Sequence, residues 1–437
     1  MAYAFPTHLA GQVTERWNTF VSRHDRPAPP LPAPDDLRHI LETAFFASLE
    51  REEDRELRFV LCCAPDLEVP RDGQDEPVAV VPFQEPRPLT VETLRALAPA
   101  VSPSNAAILV RFPSAGSGLE HCEIAGVLNV GSNLARARSG RSFYHRPAPY
   151  ALTVDVRDTG ELHIYRGGIK LASLRAGELH DQLAFSGLEF LPVSDILAKG
   201  EQSLQPRLRP PTHEPIRETS DFLWTAHLNT ILCIVNGMRE RGHGGALLLV
   251  APDDVGTLPV RVKFDVSDRG SALADRFVSF MNARQELADA RWALRASGTS
   301  AERAGLSHLQ NAALIAEEDL ADAADLVARL GSVDGAIVLQ SDLRLVGFGT
   351  EIVLDAARPV TAYEVVGRPR RIQDWPPVDS ENFGMRHRSA LRCVAVARSA
   401  AAFVVSQDAT VSFFWKQEDK VLLKRNVNTA NPNLIGA

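Results

Sequence analysis

Two short stretches place chemically capable residues in an informative order. Gly384-Met385-Arg386-His387-Arg388-Ser389-Ala390 sets two arginines about a histidine, just behind a glycine. About fifty residues earlier, Val333-Asp334-Gly335-Ala336 puts one carboxylate ahead of two small residues and the apolar run Ile337-Val338-Leu339. Arginine offers a fork of donors that matches phosphate oxygens. An acid beside small residues can hold a divalent cation against a ligand that approaches the backbone closely. Phosphoryl transfer from a nucleoside triphosphate requires both. Alone, each stretch has a plainer explanation, since Asp-Gly is a common turn pair and a single histidine is more often structural. The information lies in the combination.

The surroundings of the arginines strengthen it. The window Val366 to Arg398 holds seven arginines and no lysine, in a chain of net charge -8. Arg368, Arg370 and Arg371 read as a solvated loop. Arg386 and Arg388 stand between Gly384 and the apolar Ala390-Leu391. If that run continues as a helix, the triad lies at its N-terminus, where free N–H groups and the helix dipole favour a phosphate. Further on, Ala402-Phe403-Val404-Val405 reads as a buried strand, with Val411-Ser412-Phe413-Phe414-Trp415 following it. Ser406 and Asp408 are then presented at the turn between them.

The elements that must position these residues follow from patterning. Asp221 to about Arg241 has helical periodicity and ends at Gly242-His243-Gly244-Gly245, with strand Ala246 to Ala251 next. Helices are expected near Ala272 to Leu294 and Glu317 to Leu330, the second broken by Gly331 ahead of a strand Asp334 to Leu339. Between residues 35 and 205 the pattern is mostly short strands, among them Leu57 to Cys62, Ala107 to Phe112 and Tyr150 to Val156. The last turns through Asp158-Thr159-Gly160 into Glu161 to Arg166 as a hairpin. Two proline-rich segments punctuate the chain, Arg26 to Pro34 and Pro206 to Pro215. The domains expected are an N-terminal segment and connector over 1–34, an α+β domain over 35–205, a linker over 206–217 and an α/β domain over 218–437.

Composition excludes other classes. At 437 residues two or three domains are expected, and 45% apolar with 23% charged residues is ordinary for a soluble globular protein. The acidic balance gives no electrostatic case for binding nucleic acid or a membrane. The five cysteines are odd in number and lack C-x-x-C spacing, which argues against a disulfide framework or zinc site and fits a reducing cytoplasm. No signal-peptide pattern opens the chain, and its longest apolar runs are strand-length. No P-loop, G-x-S-x-G or H-E-x-x-H occurs.

Asp334-Gly335-Ala336 followed by Arg386-His387-Arg388 resembles the two motifs of the diadenylate cyclase domain family, and Gly244-Gly245-Ala246-Leu247-Leu248 is similar to that family's early glycine-alanine-leucine strand. The resemblance spans about residues 218 to 437. It implies a C-terminal mixed β-sheet wrapped by helices. The preceding α+β part is similar in layout to the sensor domains (DACNV-like) that precede cyclases of a divergent bacterial branch. The implied activity joins two ATP into cyclic di-AMP, releasing pyrophosphate, with Mg2+ or Mn2+ and two domains facing each other as a homodimer or higher assembly. Carried over residue by residue, Asp334 is the metal-binding acid. Arg386, His387 and Arg388 hold the triphosphate, and Gly335, Ala336, Gly384, Met385 and Ser406 line the nucleotide site. Two positions depart from the family. Met385 replaces the usual threonine and so offers no hydroxyl, and Gln407 replaces an acid, leaving Asp408 as the second metal ligand. The rival expectation is a nucleotide-binding signalling module of the same fold with weak catalysis. An unknown signal is the partner expected for residues 35–205.

Overall fold

The computed structural model describes residues 3–18, 28–70, 77–101, 105–114, 118–130, 149–166, 169–175, 177–181, 193–210, 212, 218–297, 300–354, 360–365, 375–407, 410–417 and 419–427. They divide into two compact units, with described residues up to 181 in the first and those from 193 onward in the second.

The first unit opens with helices α1 (Pro6–Trp17) and α2 (Pro34–Ser48), each with a proline in its first turn, where the missing N–H costs nothing. A two-stranded ribbon, β1 (Arg51–Glu52) and β2 (Arg55–Glu56), leads into β3 (Phe59–Ala64). Then come β4 (Ala79–Pro88), helix α3 (Val91–Leu97), β5 (Ala106–Arg111), β6 (Glu123–Asn129), β7 (Leu152–Asp158), β8 (Glu161–Arg166), β9 (Ile169–Arg175) and β10 (Glu178–Asp181). From β3 onward they form an eight-stranded sheet ordered β10-β9-β8-β7-β3-β5-β6-β4. Its described pairs are antiparallel except β3 with β5. β3 is buried on both faces. Phe59, Leu61 and Cys63 pack under α1 and α2 with Val13, Ile40 and Leu41, while Val60 and Cys62 face a second cluster with Ala107 and Leu109. The outermost strand, β4, carries Pro82, Pro86 and Pro88, which remove three amide donors from the sheet edge.

The second unit begins with α4 (Val193–Leu204) and continues through α5 (Glu218–Glu240), β11 (Gly245–Val250), β12 (Val260–Arg261), β13 (Phe264–Asp265), α6 (Ala272–Ser297) and α7 (Ser300–Leu330). After these come β14 (Ala336–Gln340), β15 (Leu345–Ile352), β16 (Thr361–Glu364), β17 (Pro377–Asp379), α8 (Met385–Val396), β18 (Ala400–Val405), β19 (Val411–Gln417) and β20 (Lys420–Lys424). The strands build one mixed ten-stranded sheet, ordered β12-β15-β14-β11-β18-β19-β20-β16-β17 with β13 against β15. Strand alternation sorts the core into two layers. Leu247, Leu249, Ile337 and Phe403 face α5, α6 and α7; Ala246, Leu248, Val338 and Val404 face Ala390, Leu391 and Val394 of α8. Helix α5 is buried over residues 226–238, including the polar His227, Asn229, Thr230 and Asn236. Among the described residues no helix is long and apolar enough to cross a membrane.

The division between units differs from the boundary expected at 206–217. Leu197 and Leu204 of α4 are buried in the core of the second unit. The proline-rich stretch is held along α6, with Arg207 on Asp275 (2.5 Å), the Arg209 amide donating to Asn282 (2.7 Å) and Thr212 donating to Asp289 (2.7 Å). Polar groups of the expected linker thus have partners on a helix about seventy residues away in sequence. Helix α7 also begins well before the expected Glu317.

Candidate nucleotide site

Register brings the separated motifs to one end of the second sheet. Ala336 pairs with Ala246, Ala246 with Val404, and Val404 with Ser412, so these four residues form a row across β14, β11, β18 and β19. Two residues beyond that row, on the same side, stand Asp334, Gly244, Ser406 and Thr410. Neighbouring strands are about 4.8 Å apart, so the DGA stretch lies one strand from Gly244 and two from Ser406.

Asp334 is exposed in the tight turn between α7 and β14. Gly335 follows at φ +120°, and a Cβ there would stand 2.5 Å from the carbonyl carbon of Gly349. The glycine is thus demanded first by the close β14–β15 approach. Ala336 is 3% exposed, and its side chain belongs to the core layer facing α8.

Helix α8 starts where the triad predicts. Gly384 is its N-cap (φ −61°, ψ 162°), with no side-chain cap, and the Arg388 amide makes the first helical bond to the Gly384 carbonyl (3.1 Å). The amides of the first turn have no carbonyl four residues back within the helix to accept from them, and the helix dipole stands behind them. Arg386 is exposed and lies over Gly244, where a Cβ would stand 3.1 Å from its Nη1 and 3.3 Å from the Gln407 amide nitrogen. Arg388 is half-buried. His387 is an anchor: Nε2 is 3.1 Å from the Ser412 hydroxyl, and its ring stacks on Phe383 (5.9 Å, 12°) and meets Phe414 edge-on (6.0 Å, 73°). Arg425 covers the Phe383 ring at 5.0 Å and pairs with Glu364 at 3.3 Å, adding a cation beside the helix start. Met385 is 76% exposed.

Ser406 is half-buried at the end of β18, where its amide closes the turn on the Thr410 carbonyl (2.9 Å). Asp408, and likewise Arg368, Arg370 and Arg371, lie outside the described residues. Among the described residues no group of three or more His, Cys, Asp or Glu side chains could hold a metal. The exposed Asp334 carboxylate alone would suit only a magnesium-type ion, which keeps its waters and takes one or two carboxylates.

Phe383, Ser412 and Arg425 are residues of this corner that local pattern does not mark. Ser412 shares its strand face with Phe414 and Lys416, and the pairing of β18 with β19 brings it under His387.

With that geometry in place, comparison with known proteins adds one finding. Residues 26–129, which include α2, α3 and strands β3 to β6, match the family model described as probable sensor domain DACNV. No curated protein matches the chain.

Proposed function

We propose that the chain is a diadenylate cyclase, condensing two ATP into cyclic di-AMP with release of pyrophosphate, under control of its N-terminal sensor unit. The observation that carries this reading is the convergence of Asp334-Gly335 and Arg386-His387-Arg388 at one sheet end, around Gly244. The DACNV match over 26–129 supports it, since that sensor domain is associated with diadenylate cyclases.

In this reading Arg386, Arg388 and the uncapped start of α8 bind the triphosphate, while His387, tied to Ser412, fixes the pitch of that turn. Asp334 would hold the Mg2+ or Mn2+ ion, whose charge would lower the pKa of the ribose 3′-hydroxyl and screen the phosphates. The 3′-oxygen of one ATP attacks the α-phosphorus of the other; the P–O bond to pyrophosphate breaks and the hydroxyl proton passes to solvent. The same step in reverse roles closes the ring. One site holds one ATP, so two copies must face each other, at least transiently.

Incubating the protein with ATP and either metal, and reading products by mass spectrometry, tests this directly. Cyclic di-AMP is expected, with specific activity rising as protein concentration rises. Activity per molecule that stays flat down to a dilution containing only monomer would remove the two-copy requirement. One observation favours the weakly catalytic rival: the exposed Met385 and Gln407 put no hydroxyl and no acid at the phosphate corner. ATP binding without product would decide for it.

A further inference from the structure

Strands β11 and β14 are parallel neighbours, so both begin at one end of the sheet and finish at the other. Their beginnings adjoin Gly244 and Asp334. Their finishes adjoin the 3-10 turn Pro252–Thr257 and the residues Ser341 and Asp342. Helix α4 sits on those finishes. Lys199 Nζ lies 3.3 Å from Asp254 Oδ2, and Ser203 donates to Asp342 Oδ2 at 3.1 Å. Gly200 approaches so closely that a Cβ would stand 2.1 Å from the Ser341 carbonyl oxygen. On the next face, Glu201 Oε1 is 3.5 Å from Nδ1 of the fully buried His227 of α5.

This contact carries several buried polar groups. Asp254, Ser341, Asp342 and His227 are each 4% exposed or less. Polar groups give up water when covered and regain it when uncovered, so they add little net hold to the helix. Its apolar hold comes from Ile196, Leu197 and Leu204. In chain order α4 is also the first described element after β10 of the first unit.

We propose that α4 is the input lever of the second unit, and that its seating on the finishes of β11 and β14 sets the positions of Gly244 and Asp334 at their beginnings. The lever arm is short. Strand β14 is five residues and β11 six, with each residue of β14 paired to β11 through a regular ladder. Such a pair moves as a body when pushed at one end. Gly200 sets the seating, because any side chain there must lift the helix from Ser341. The proposal rests on the placement of the nucleotide site at Gly244 and Asp334.

The test uses the full chain and reads hydrogen exchange as well as turnover. Gly200→Ala is expected to speed amide exchange at residues 244–246 and 334–337 about tenfold and to change the rate of cyclic di-AMP formation. Pairing Ser203→Cys with Asp342→Cys is expected to slow exchange at the same amides, with reduction of the cross-link reversing it. Should Gly200→Ala fail to fold, the milder Lys199→Ala with Ser203→Ala reads the same amides. Faster exchange confined to α4, with the site amides and turnover as in wild type, would overturn the proposal. Absence of any cyclic dinucleotide from the wild-type protein would count against the cyclase reading alone, since exchange still decides the lever.

Discussion

The guanidinium of Arg386 lies over the Cα of Gly244, where a Cβ would stand 3.1 Å from Nη1 and 3.1 Å from the Val405 carbonyl oxygen, on a backbone at φ +64°. Gly244→Ala therefore meets both left-handed strain and a displaced arginine. Roughly 1–2 kcal/mol of stability should be lost, and ATP should bind more weakly. Thermal unfolding and an ATP titration separate the two effects. Reduced stability with unchanged ATP affinity would take Arg386 out of phosphate binding.

Asp334 is exposed and belongs to neither core layer, so Asp334→Asn should leave stability within about 0.5 kcal/mol of wild type. Cyclase activity should vanish, because the amide keeps the shape without the charge that holds a cation. Turnover near the wild-type rate would disprove its role as the metal-binding acid.

Arg386→Ala and Arg388→Ala each remove charge-assisted hydrogen bonds worth about 1.5–3 kcal/mol. Each should weaken ATP binding roughly tenfold or more, measurable by calorimetry without turnover. Unchanged affinity in both would put the phosphates elsewhere.

Met385 is 76% exposed at the first turn of α8, so exchanging it for threonine disturbs no packing. Met385→Thr should maintain or raise activity by adding a hydroxyl beside the phosphate corner. A large loss would mean that the thioether belongs to a differently built pocket.

Burial pushes the thiols of Cys62, Cys122 and Cys393 up to about 12, with the Asp36 carboxylate adding to the effect at Cys122, and drives Cys63 well above the ordinary 9.0. Iodoacetamide at pH 8 should leave these four unmodified in the native protein and label them after unfolding. Because the folded values are raised, the associated stability is complete below pH 9.0 and is lost as pH rises toward 12. Melting temperature should fall across that range. Rapid alkylation of native protein at pH 8 would contradict the burial of these side chains.

Much of the second unit is legible in the sequence. Continuous apolar runs mark β11, β14 and β18, and Gly384 ahead of Ala390-Leu391 marks the start of α8 at the observed residue. The early half of α7 is not legible, because between Leu306 and Ala316 Ala313 alone is buried and no clean apolar stripe runs along the helix. β4 hides behind its three prolines, which only an edge strand tolerates. The site is half legible: motif residues can be read, but Ser412 joins it through strand pairing, which local pattern does not encode.

The docking of α4 and the 207–212 stretch on the second unit bears on how such proteins exchange parts. A front end grafted on at residue 216 would discard Leu197 and Leu204 and take Arg207 and Thr212 away from Asp275 and Asp289 of α6. A graft upstream of Val193 carries the lever and its moorings across intact. The transferable cassette, for an engineer or for recombination, is thus longer than the motif-bearing domain by one helix and the strap that follows it.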